Sequence, residues 1–473
     1  MGEFTEKLVD FVTETQFKDL PEDVVHEAKR VLLDSIGCAI LGHYTDMGRI
    51  SVEFAKRLGG PPESIIIGTN HKVSCVGAAF ANGQLINAQE YDAISGNHDV
   101  PILIAASLAL IENKRTSGRN LILAIVLGLE ISKRILLATS EVDQCSRRIA
   151  TITGYSPYAF VASRGLSAST FGAAVGAGKI LNLNREKIAH AIGIAGYTCL
   201  PDTMQKWCYV TPMKMPKYGP PGWGAQAGVT SALLAELGFN GDTEVFDGEY
   251  GYWRYTGKAG WNADLVLKDL GREWLSRGIM YKSYPAGYHK ATVLKEFIQI
   301  VEDNHLQPDD IEKVTTREYQ IIPGTWHEGE PITSEEYYFD SPYLFACAIY
   351  RINRAFWHDQ EVRQDPKIRD FMKKVECIYV RPGTAGQKMT VEETFFMQPE
   401  VEIATQGKTF KKTALPEKEG METKIITDQE LINKFIENAS RILPLDKTNN
   451  IVKTILELEQ LENATPLMGL VAL

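Results

Sequence analysis

The segment VVHEAKRVLLDSIGCAILG, residues 24–42, has the apolar spacing of an α-helix. Four apolar residues recur at intervals of three or four and form one stripe along such a helix: Val25, Ala28, Leu32 and Ile36. A half-buried strand would instead alternate apolar and polar residues with a period of two. The segment therefore predicts a long helix whose apolar face packs into a core.

Helical patterns of this kind continue from residue 5 to about residue 265. Asp19, with Glu22 three residues later, resembles a capping box in front of the segment above, and Asn184 is a candidate N-cap for another helix. The small residues of TFGAAVGAGKIL, residues 170–181, would let buried helices approach closely. We therefore expect this part of the chain to be all-helical.

Segments with the composition of strands follow, from about residue 280. They are rich in Val, Ile, Thr and Tyr and alternate with helical stretches: IEKVTTREYQI (311–321), KKVECIYVRPG (373–383), KMTVEETFF (388–396) and PEVEIATQGKTFKKTAL (399–415). In the last of them, Gln406 and Gly407 form a plausible turn. These segments predict an α+β unit.

Helical segments return after residue 415, where Thr427 and Glu430 form a second candidate capping box. The fold class that we predict is mainly α with α+β. A large all-helical domain is formed by the N- and C-terminal segments, residues 1–279 and 416–473, and a smaller α+β lid domain, residues 280–415, is inserted between them.

The composition excludes several classes of protein. Of the 473 residues, 44% are hydrophobic, enough for a large core, and the net charge of −10 argues against nucleic acid and an anionic membrane as partners. Seven cysteines are spread singly, so neither a disulfide framework nor a zinc or iron–sulfur cluster is indicated. No signal-peptide core precedes the first helical segment, and we expect a cytoplasmic protein.

The segment EYDAISGNHDVP, residues 90–101, is the first candidate site. A histidine exchanges protons near pH 7, and a nearby carboxylate orients its ring, so Asp92 and His98 are a candidate acid/base pair. The Ser, Gly and Asn between them favour a bend that would bring the two side chains together before Pro101 begins the next helix. The alternative is a polar loop with a surface histidine.

Two lysine-bearing segments are further candidates. In KMPKYGPPGWGAQAG, residues 214–228, Lys214 and Lys217 precede a helix that starts near Trp223, an arrangement that suits an anion; the alternative is a solvated basic turn. In GIMYKSYPAGYHK, residues 278–290, Lys282 lies between tyrosines at the proposed domain junction, where ligands often bind; the alternative is a hinge with incidental charge.

A metal site has little support in the sequence. His327, Glu328 and Glu330 in TWHEGE, like the single histidine of GNHD, lack a second clustered histidine at ligand spacing. Nucleotide-binding and nucleophile motifs such as GxGxxG after a strand and GxSxG do not occur. We therefore expect no metal and no cofactor.

Five segments, in this order, resemble the MmgE/PrpD family: VLLDSIGCAILG, AAFANGQLINAQEYD, GNHDVPILIAASLALIE, KMPKYGPPGWGAQAGVTSALLAELGF and MYKSYPAGYHKAT. Members of this family include 2-methylcitrate dehydratases, cis-aconitate decarboxylase and iminodisuccinate epimerase. The resemblance implies a metal-free pocket between a helical domain and a lid, and a homodimer. It also implies site roles for Asp92, His98, Lys217 and Lys282.

The chain departs from the family pattern at several positions. Glu90 and Ala93 replace aspartates that often surround Asp92, and Asp99 stands where many members have proline. A family histidine before the alanine-rich helix is replaced near Ser163 or Arg164, and PAGYHK replaces a frequent cysteine/arginine pattern. These departures leave the particular substrate open.

The resemblance implies a metal-free lyase that acts on a small di- or tricarboxylate by removing a proton next to a carboxylate. His98 with Asp92 would move the proton, Lys217 and Lys282 would bind carboxylates, with Tyr218 and Ser163 beside them, and Tyr284 or Tyr218 would be the second acid. A 2-methylcitrate dehydratase-like hydro-lyase is our first expectation. The alternatives are an iminodisuccinate-type epimerase, a cis-aconitate-type decarboxylase and a catalytically silent helical binding protein.

Overall fold

The computed structural model describes residues 1–95, 97–153, 166–200, 207, 210–256, 261–319, 331–380, 399–413 and 426–473, and the side chains of residues 140–153, 289, 319 and 380 lie outside the description. Helices dominate the described residues as far as residue 267. They are α1 (Glu3–Glu14), α2 (Glu22–Gly42), α3 (Asp46–Leu58), α4 (Cys75–Asn87), α5 (Val100–Leu108), α6 (Ile111–Lys114), α7 (Gly118–Thr153), α8 (Leu166–Ile180), α9 (Arg185–Thr198), α10 (Pro221–Glu236), α11 (Tyr252–Tyr255) and α12 (Ala263–Leu267). A short hairpin of β1 (Ser64–Ile65) and β2 (Lys72–Val73) interrupts them.

Helices and strands alternate further along the chain. The helices there are α13 (Tyr288–Asp303), α14 (Ser341–Ile349), α15 (Gln360–Gln364) and α16 (Pro366–Met372), and the strands are β3 (Ile311–Tyr319), β4 (Val375–Val380), β5 (Glu400–Thr405) and β6 (Lys408–Thr413). Three helices complete the chain: α17 (Asp428–Ala439), α18 (Leu445–Leu456) and α19 (Thr465–Leu470).

The four longer strands form one sheet with the order β4-β3-β5-β6. β3 is parallel to β4, with Val314 opposite Val375, and antiparallel to β5, with Val314 opposite Ile403. β5 and β6 form a hairpin whose turn contains Gly407 at φ 84°, as the sequence predicts. The predicted strands at 311–321, 373–383 and 399–415 are thus confirmed, whereas 388–396 lies outside the described residues.

Two of the three predicted helix caps are confirmed. The Asn184 side chain accepts a hydrogen bond from the Lys187 N–H, and Thr427 and Glu430 form a capping box. The prediction for Asp19 and Glu22 is wrong. Asp19 instead closes a 3₁₀ turn whose cap is Gln16, and α2 begins directly at Glu22 after Pro21.

The buried hydrophobic side chains of the described residues fall into two large clusters. The first runs from Phe4 to Trp274 and also includes α17, α18 and α19, since Phe435, Ile451 and Leu467 pack into it. The second, from Ala286 to Ile403, joins the sheet to α13 and α14. The fold class, mainly α with α+β, is confirmed. The proposed division at residues 280 and 415 stays a prediction.

Three contacts between elements determine where the candidate residues lie. α4 and α10 pack closely at Gly222, where a Cβ atom would collide with the carbonyl oxygen of Phe80. Ile94 and Met280 form an isolated β-bridge. α17 packs against α2. No helix in the described part of the chain is long and apolar enough to span a membrane.

Candidate active site

The connection between α4 and α5 carries the central side chains of the candidate site. α4 ends at Asn87, and Pro101 lies in the first turn of α5. Between them, Glu90 has a left-handed backbone with φ 54°, which turns the chain two residues before Asp92. A non-glycine residue holds such a conformation when surrounding contacts fix it, and the Glu90 carboxylate is fixed by two ion pairs.

Asp92 and His98 are brought together, as the sequence predicts. The Nδ1 atom of His98 lies 3.4 Å from Oδ2 of Asp92. The Asp92 side chain is fully buried, whereas the His98 side chain is 23% exposed. The His98 ring stacks on Tyr218 with 4.0 Å between the ring centroids, and its Nε2 atom has no hydrogen-bond partner among the described residues. Asp92 thus holds the Nδ1 edge of the imidazole and Tyr218 holds one face, and Nε2 stays available to a substrate.

Lys217 and Lys282 reach the same cluster from different parts of the chain. The Lys217 Nζ atom lies 2.5 Å from Oε1 of Glu90, and the Lys282 Nζ atom lies 3.0 Å from Oε2 of the same carboxylate. Lys282 Nζ is also 4.0 Å from Oδ1 of Asp92. Both lysine side chains are 1% exposed. One carboxylate therefore bridges two buried ammonium groups.

The buried charges of the cluster stabilise one another. Burial alone would raise the pKa of Glu90, but Lys217, Lys282 and His98 outweigh it and hold the pKa well below its ordinary value. Burial also opposes ionisation of Asp92, and the charge of Lys282 and the contact with His98 hold its pKa below the usual range. Both carboxylates are therefore anionic at neutral pH, and the two lysines balance them.

Local structure explains why the side chains of Lys217 and Lys282 both lie beside Glu90. Lys217 has φ 47° in a turn in which its N–H donates to the Lys214 carbonyl, four residues before α10 begins at Pro221. The close packing of α10 on α4 then lets Lys217 Nζ donate to the Asn87 carbonyl at 3.2 Å. Lys282 follows two residues after Met280, whose bridge to Ile94 ties it to the Glu90 connection.

Asn87 is a site residue that the sequence reasoning missed. Its side-chain nitrogen contacts Oδ1 of Asp92 at 3.1 Å, Nδ1 of His98 at 3.4 Å and the Tyr218 hydroxyl in a short hydrogen bond. An amide has two N–H donors for these three partners, so their hydrogen bonds compete. The family segment AAFANGQLINAQEYD contains Asn87, but nothing in its spacing distinguishes this residue from a packed helix end.

A second buried ion pair, between Lys434 and Asp34, holds the backbone next to the cluster. The Lys434 Nζ atom, on α17, lies 2.7 Å from Oδ1 of Asp34 on α2. It also donates to the backbone carbonyls of Tyr91, at 2.7 Å, and Lys282, at 3.1 Å. Oδ2 of Asp34 accepts the Ala93 N–H at 2.9 Å. The pair thus fixes the backbone on both sides of Asp92 and at Lys282. No motif or spacing in the sequence pointed to Lys434.

Other predicted residues lie elsewhere. Tyr284 stacks on Trp357, with the Arg354 guanidinium over its ring, and these described contacts do not include the cluster. Lys214 is exposed, and the Gly222 N–H at the start of α10 donates to the Gln84 side chain rather than facing a free site. The remaining candidates lie outside the described residues: Ser163, Arg164, His327, Glu328 and Glu330.

The altered family positions have separate surroundings. Asp99 accepts a short hydrogen bond from Ser95, and burial raises its pKa. It precedes α5 and does not join the Asp92–His98 pair. Glu90, by contrast, is the centre of the cluster. Glu90 therefore adds a negative charge next to Lys217 and Lys282, whereas Asp99 does not.

Glu90, Asp92 and His98 also offer ligand atoms within 4.8 Å of one another, a separation compatible with a metal ion. Both oxygens of Glu90 are already paired with ammonium groups. A divalent cation bound by Glu90 would face these two positive charges at close range, which opposes its binding. The donor set therefore fits a metal poorly, and metal independence stays a prediction.

Two family models match the chain. The MmgE/PrpD N-terminal domain matches residues 6–262, and the MmgE/PrpD C-terminal domain matches residues 284–460. The chain belongs to the MmgE/PrpD family. The resemblance stated from the five sequence segments is thus confirmed. The second model extends beyond residue 415, so it includes α17 and α18, which pack with the N-terminal helices.

Named relatives of this MmgE/PrpD protein match it over most of their length. Cis-aconitate decarboxylase from Homo sapiens is 24% identical over 95% of this chain and 91% of its own. Cis-aconitate decarboxylase from Mus musculus is 24% identical over 98% and 93%, respectively. The cis-aconitate decarboxylase-like protein oryM from Aspergillus oryzae is 24% identical over 100% and 98%.

Proposed function

We propose that this MmgE/PrpD protein is a metal-independent lyase that decarboxylates a small, unsaturated di- or tricarboxylate similar to cis-aconitate. One observation carries the proposal: a partly exposed histidine, held by a buried aspartate, lies beside two buried lysines. The histidine can transfer a proton, and the lysines can stabilise negative charge on the substrate.

The chemistry requires one proton donor. In such an acid, the bond between a carboxylate carbon and its neighbouring methylene carbon breaks, and CO₂ leaves without the electron pair. The pair moves through the adjacent double bond to the carbon beside another carboxylate, where the charge resembles an enolate. Protonated His98 donates its proton to that carbon and is protonated again from solvent. The positive charges of Lys217 and Lys282 would stabilise the enolate-like charge before the proton arrives.

The acid/base groups found in the described part of the site favour decarboxylation over dehydration. Dehydration needs a base for the carbon-bound proton and an acid for the leaving hydroxide. Among the described residues, His98 is the titratable group of the cluster with an available nitrogen, whereas Tyr284 contacts Trp357 and Arg354. The Tyr218 hydroxyl is buried and takes a short hydrogen bond from Asn87, and burial raises its pKa well above the ordinary value.

The relatives also favour decarboxylation over dehydration. Two of the three relatives named above are mammalian cis-aconitate decarboxylases, and the third is a cis-aconitate decarboxylase-like fungal protein. Each match covers most of this chain and most of the relative. Family and relatives support a lyase. The 2-methylcitrate dehydratase-like and epimerase reactions, the homodimer and the cytoplasmic location stay predictions.

Glu90 limits which acids the site accepts. Its carboxylate already pairs both lysines, so Glu90 and Asp92 cancel the charge of Lys217 and Lys282. A bound anion must compete with Glu90 for the same ammonium groups. We therefore propose that the substrate carries a carboxylate that inserts between Glu90 and at least one lysine, and that the site binds it more weakly than it would without Glu90.

The experiment is a product screen with purified protein and a set of citrate-like, aconitate-like and aspartate-like acids. The proposal predicts CO₂ release from an unsaturated acid, unaffected by EDTA, and loss of this activity in His98→Ala and Lys282→Met. Water release from a hydroxy acid would favour the dehydratase. Binding of these acids without turnover of any of them would favour the catalytically silent binding protein.

A further inference from the structure

Asn87 contacts both of the groups that hold the His98 imidazole. Its side-chain nitrogen, Nδ2, lies 3.1 Å from Oδ1 of Asp92 and forms a short hydrogen bond with the Tyr218 hydroxyl. Asp92 lies at the Nδ1 edge of the imidazole, and the Tyr218 ring stacks on one face of it, with an angle of 16° between the two rings. A single amide group therefore joins the two contacts that fix the direction of His98.

The charge of Asp92 fixes which end of the Asn87 amide faces the cluster. The reverse orientation would place the amide oxygen 3.1 Å from an oxygen of the anionic Asp92, and two acceptors without a proton between them repel each other. The nitrogen therefore faces Asp92, although this leaves Oδ1 of Asn87 buried and without a hydrogen-bond partner among the described residues. The contacts of the nitrogen thus outweigh the free energy that is lost at the oxygen.

The protonation of His98 decides how the two N–H groups of Asn87 are shared. Nδ1 of His98 is a third neighbour of the amide nitrogen, at 3.4 Å. When Nδ1 carries a proton, it donates to Oδ2 of Asp92 and cannot accept from Asn87. Both N–H groups of Asn87 are then left for Asp92 and Tyr218. Protonated His98 and the neutral form that remains after Nε2 gives up its proton both carry a proton on Nδ1, so the Asn87 contacts match the two forms that the proposed proton transfer uses.

The position of Asn87 in the fold makes this arrangement rigid. Asn87 is fully buried and is the last residue of α4, which packs closely against α10 at Gly222. Its backbone carbonyl also accepts from Lys217 Nζ at 3.2 Å. The hydrogen bond between Asn87 and Tyr218 therefore joins the end of α4 to the segment that leads into α10.

We propose that Asn87 is a positioning residue, which directs Nε2 of His98 towards the substrate by holding Asp92 at one edge of the imidazole and Tyr218 on its face. This inference rests on the proposed role of His98 as the proton donor. The amide of Asn87 exchanges no proton itself. Without its two N–H groups, the Tyr218 hydroxyl loses this donor and the imidazole gains freedom to turn away from the direction of transfer, so turnover slows while the lysines still bind carboxylates.

The first test follows the orientation of His98 without any substrate. In full-length protein whose histidine rings are labelled with ¹³C, nine histidine signals are expected in a proton–carbon correlation spectrum, and the His98 signal is the one lost in His98→Ala. The stacked Tyr218 ring shields the ring protons of His98 through its ring current. Asn87→Leu keeps the branched shape of the side chain but has no N–H donor. It should move the His98 signal downfield, towards that of an unstacked histidine.

Asn82→Leu is the matched control. Asn82 is also fully buried on α4, but its side chain binds the backbone of Ile65 and Ile67, which are not part of the cluster. The control removes the same kind of amide from the same helix, so thermal melts should show a loss of stability in both variants. The His98 signal and kcat should stay unchanged in Asn82→Leu.

The second test is kinetic and uses the acid that wild type converts. Asn87→Leu should lower kcat by about 10- to 100-fold, the cost of misplacing a catalytic group slightly, and should change KM by less than about threefold. Tyr218→Phe removes the hydroxyl at the other end of the hydrogen bond and keeps the ring. It should also move the His98 signal downfield. The double variant should be about as active as Asn87→Leu alone, because both substitutions break the same hydrogen bond.

Three results would overturn the proposal: a His98 signal that does not move in Asn87→Leu, an equal movement in Asn82→Leu, or separate effects of Asn87→Leu and Tyr218→Phe on kcat that multiply in the double variant. If Asn87→Leu fails to fold, the His98 signal in Tyr218→Phe decides, and a signal that does not move there overturns the proposal. A wild type that decarboxylates none of the acids would contradict the lyase, whereas the His98 signals would still decide the role of Asn87.

Discussion

The Nδ1 atom of His98 lies 3.4 Å from Oδ2 of Asp92, although six residues separate the two along the chain. No regular helix brings residues six apart face to face. The bent connection between α4 and α5 does so, and the bend depends on Glu90 in its left-handed conformation. Asp92 is buried and anionic, so it attracts the protonated imidazole and orients it.

Replacing His98 should remove most of the activity without unfolding the protein. His98→Ala is expected to lower kcat by about 10²- to 10⁴-fold, the usual contribution of a general acid or base. Its side chain is partly exposed, so the melting temperature should change little. Steady-state kinetics and thermal melts measure both. A variant that retains wild-type kcat would remove His98 from the mechanism.

Replacing Glu90 should make the site bind anions more tightly. Glu90→Gln leaves Lys217 and Lys282 without their shared carboxylate, and the loss of a buried ion pair typically costs about 3–5 kcal/mol of stability. A polycarboxylate probe such as citrate should restore more stability to this variant than to wild type, because it replaces the missing negative charge. Thermal melts with and without citrate give the result.

The matched control for this variant is Glu318→Gln. Glu318 is also buried and pairs with a lysine, Lys290, at 2.6 Å, but it lies in the sheet part of the chain. It should lose stability without gaining a larger response to citrate. Equal citrate responses in the two variants would mean that Lys217 and Lys282 are not the anion site.

Lys434 should act as a positioning residue. Lys434→Met removes the donor to the Tyr91 and Lys282 carbonyls and leaves Asp34 buried without its partner, so both stability and kcat should fall. The double variant Asp34→Asn/Lys434→Met removes the unpaired charge and should recover stability. Its kcat should stay about 10- to 100-fold low with KM little changed, because the backbone beside Asp92 and Lys282 is no longer fixed. Recovery of kcat together with stability would show a purely structural role.

Asp340 should make stability depend on pH. It caps α14 by accepting the Tyr343 N–H at 2.8 Å, and burial raises its pKa from 3.8 to about 7. The folded state therefore holds this proton more tightly than the unfolded state, so the contribution of Asp340 to stability is lost as pH rises from about 4 to about 7.

Asp340→Asn keeps a cap at the start of α14 and has no carboxyl group to ionise. The variant should lose less stability than wild type between pH 5 and pH 8, measured by urea unfolding at both values. The same loss in both proteins would show that Asp340 does not titrate in this range.

Local signals were sufficient for the elements and for part of the site. The apolar stripe in residues 24–42 predicted α2, and Gln406 and Gly407 predicted the turn between β5 and β6, because periodicity and turn chemistry act over a few residues. The predicted cap at Asp19 was wrong because an α-helix cap and a 3₁₀ turn use the same residue types at the same spacing. The family segments then supplied Asp92, His98, Lys217 and Lys282.

The supporting contacts required the tertiary structure. Asn87 contacts the hydroxyl of Tyr218, 131 residues away, and Lys434 contacts the carbonyl of Tyr91, 343 residues away. Neither contact leaves a periodic pattern in the sequence. Glu90 departs from the family pattern beside Asp92, but its role as a bridge between two lysines depends on where α10 and the segment after Met280 pack.

The most direct measurement is mass spectrometry of the products formed from cis-aconitate in D₂O by wild type and by His98→Ala. We predict that wild type releases CO₂ and forms a dicarboxylate with one carbon-bound deuterium from solvent, and that His98→Ala forms neither above background. Deuterium should enter at the carbon beside a carboxylate, where the electron pair of the broken bond arrives. No CO₂ release by wild type, or release that persists in His98→Ala, would contradict the proposed decarboxylation by His98.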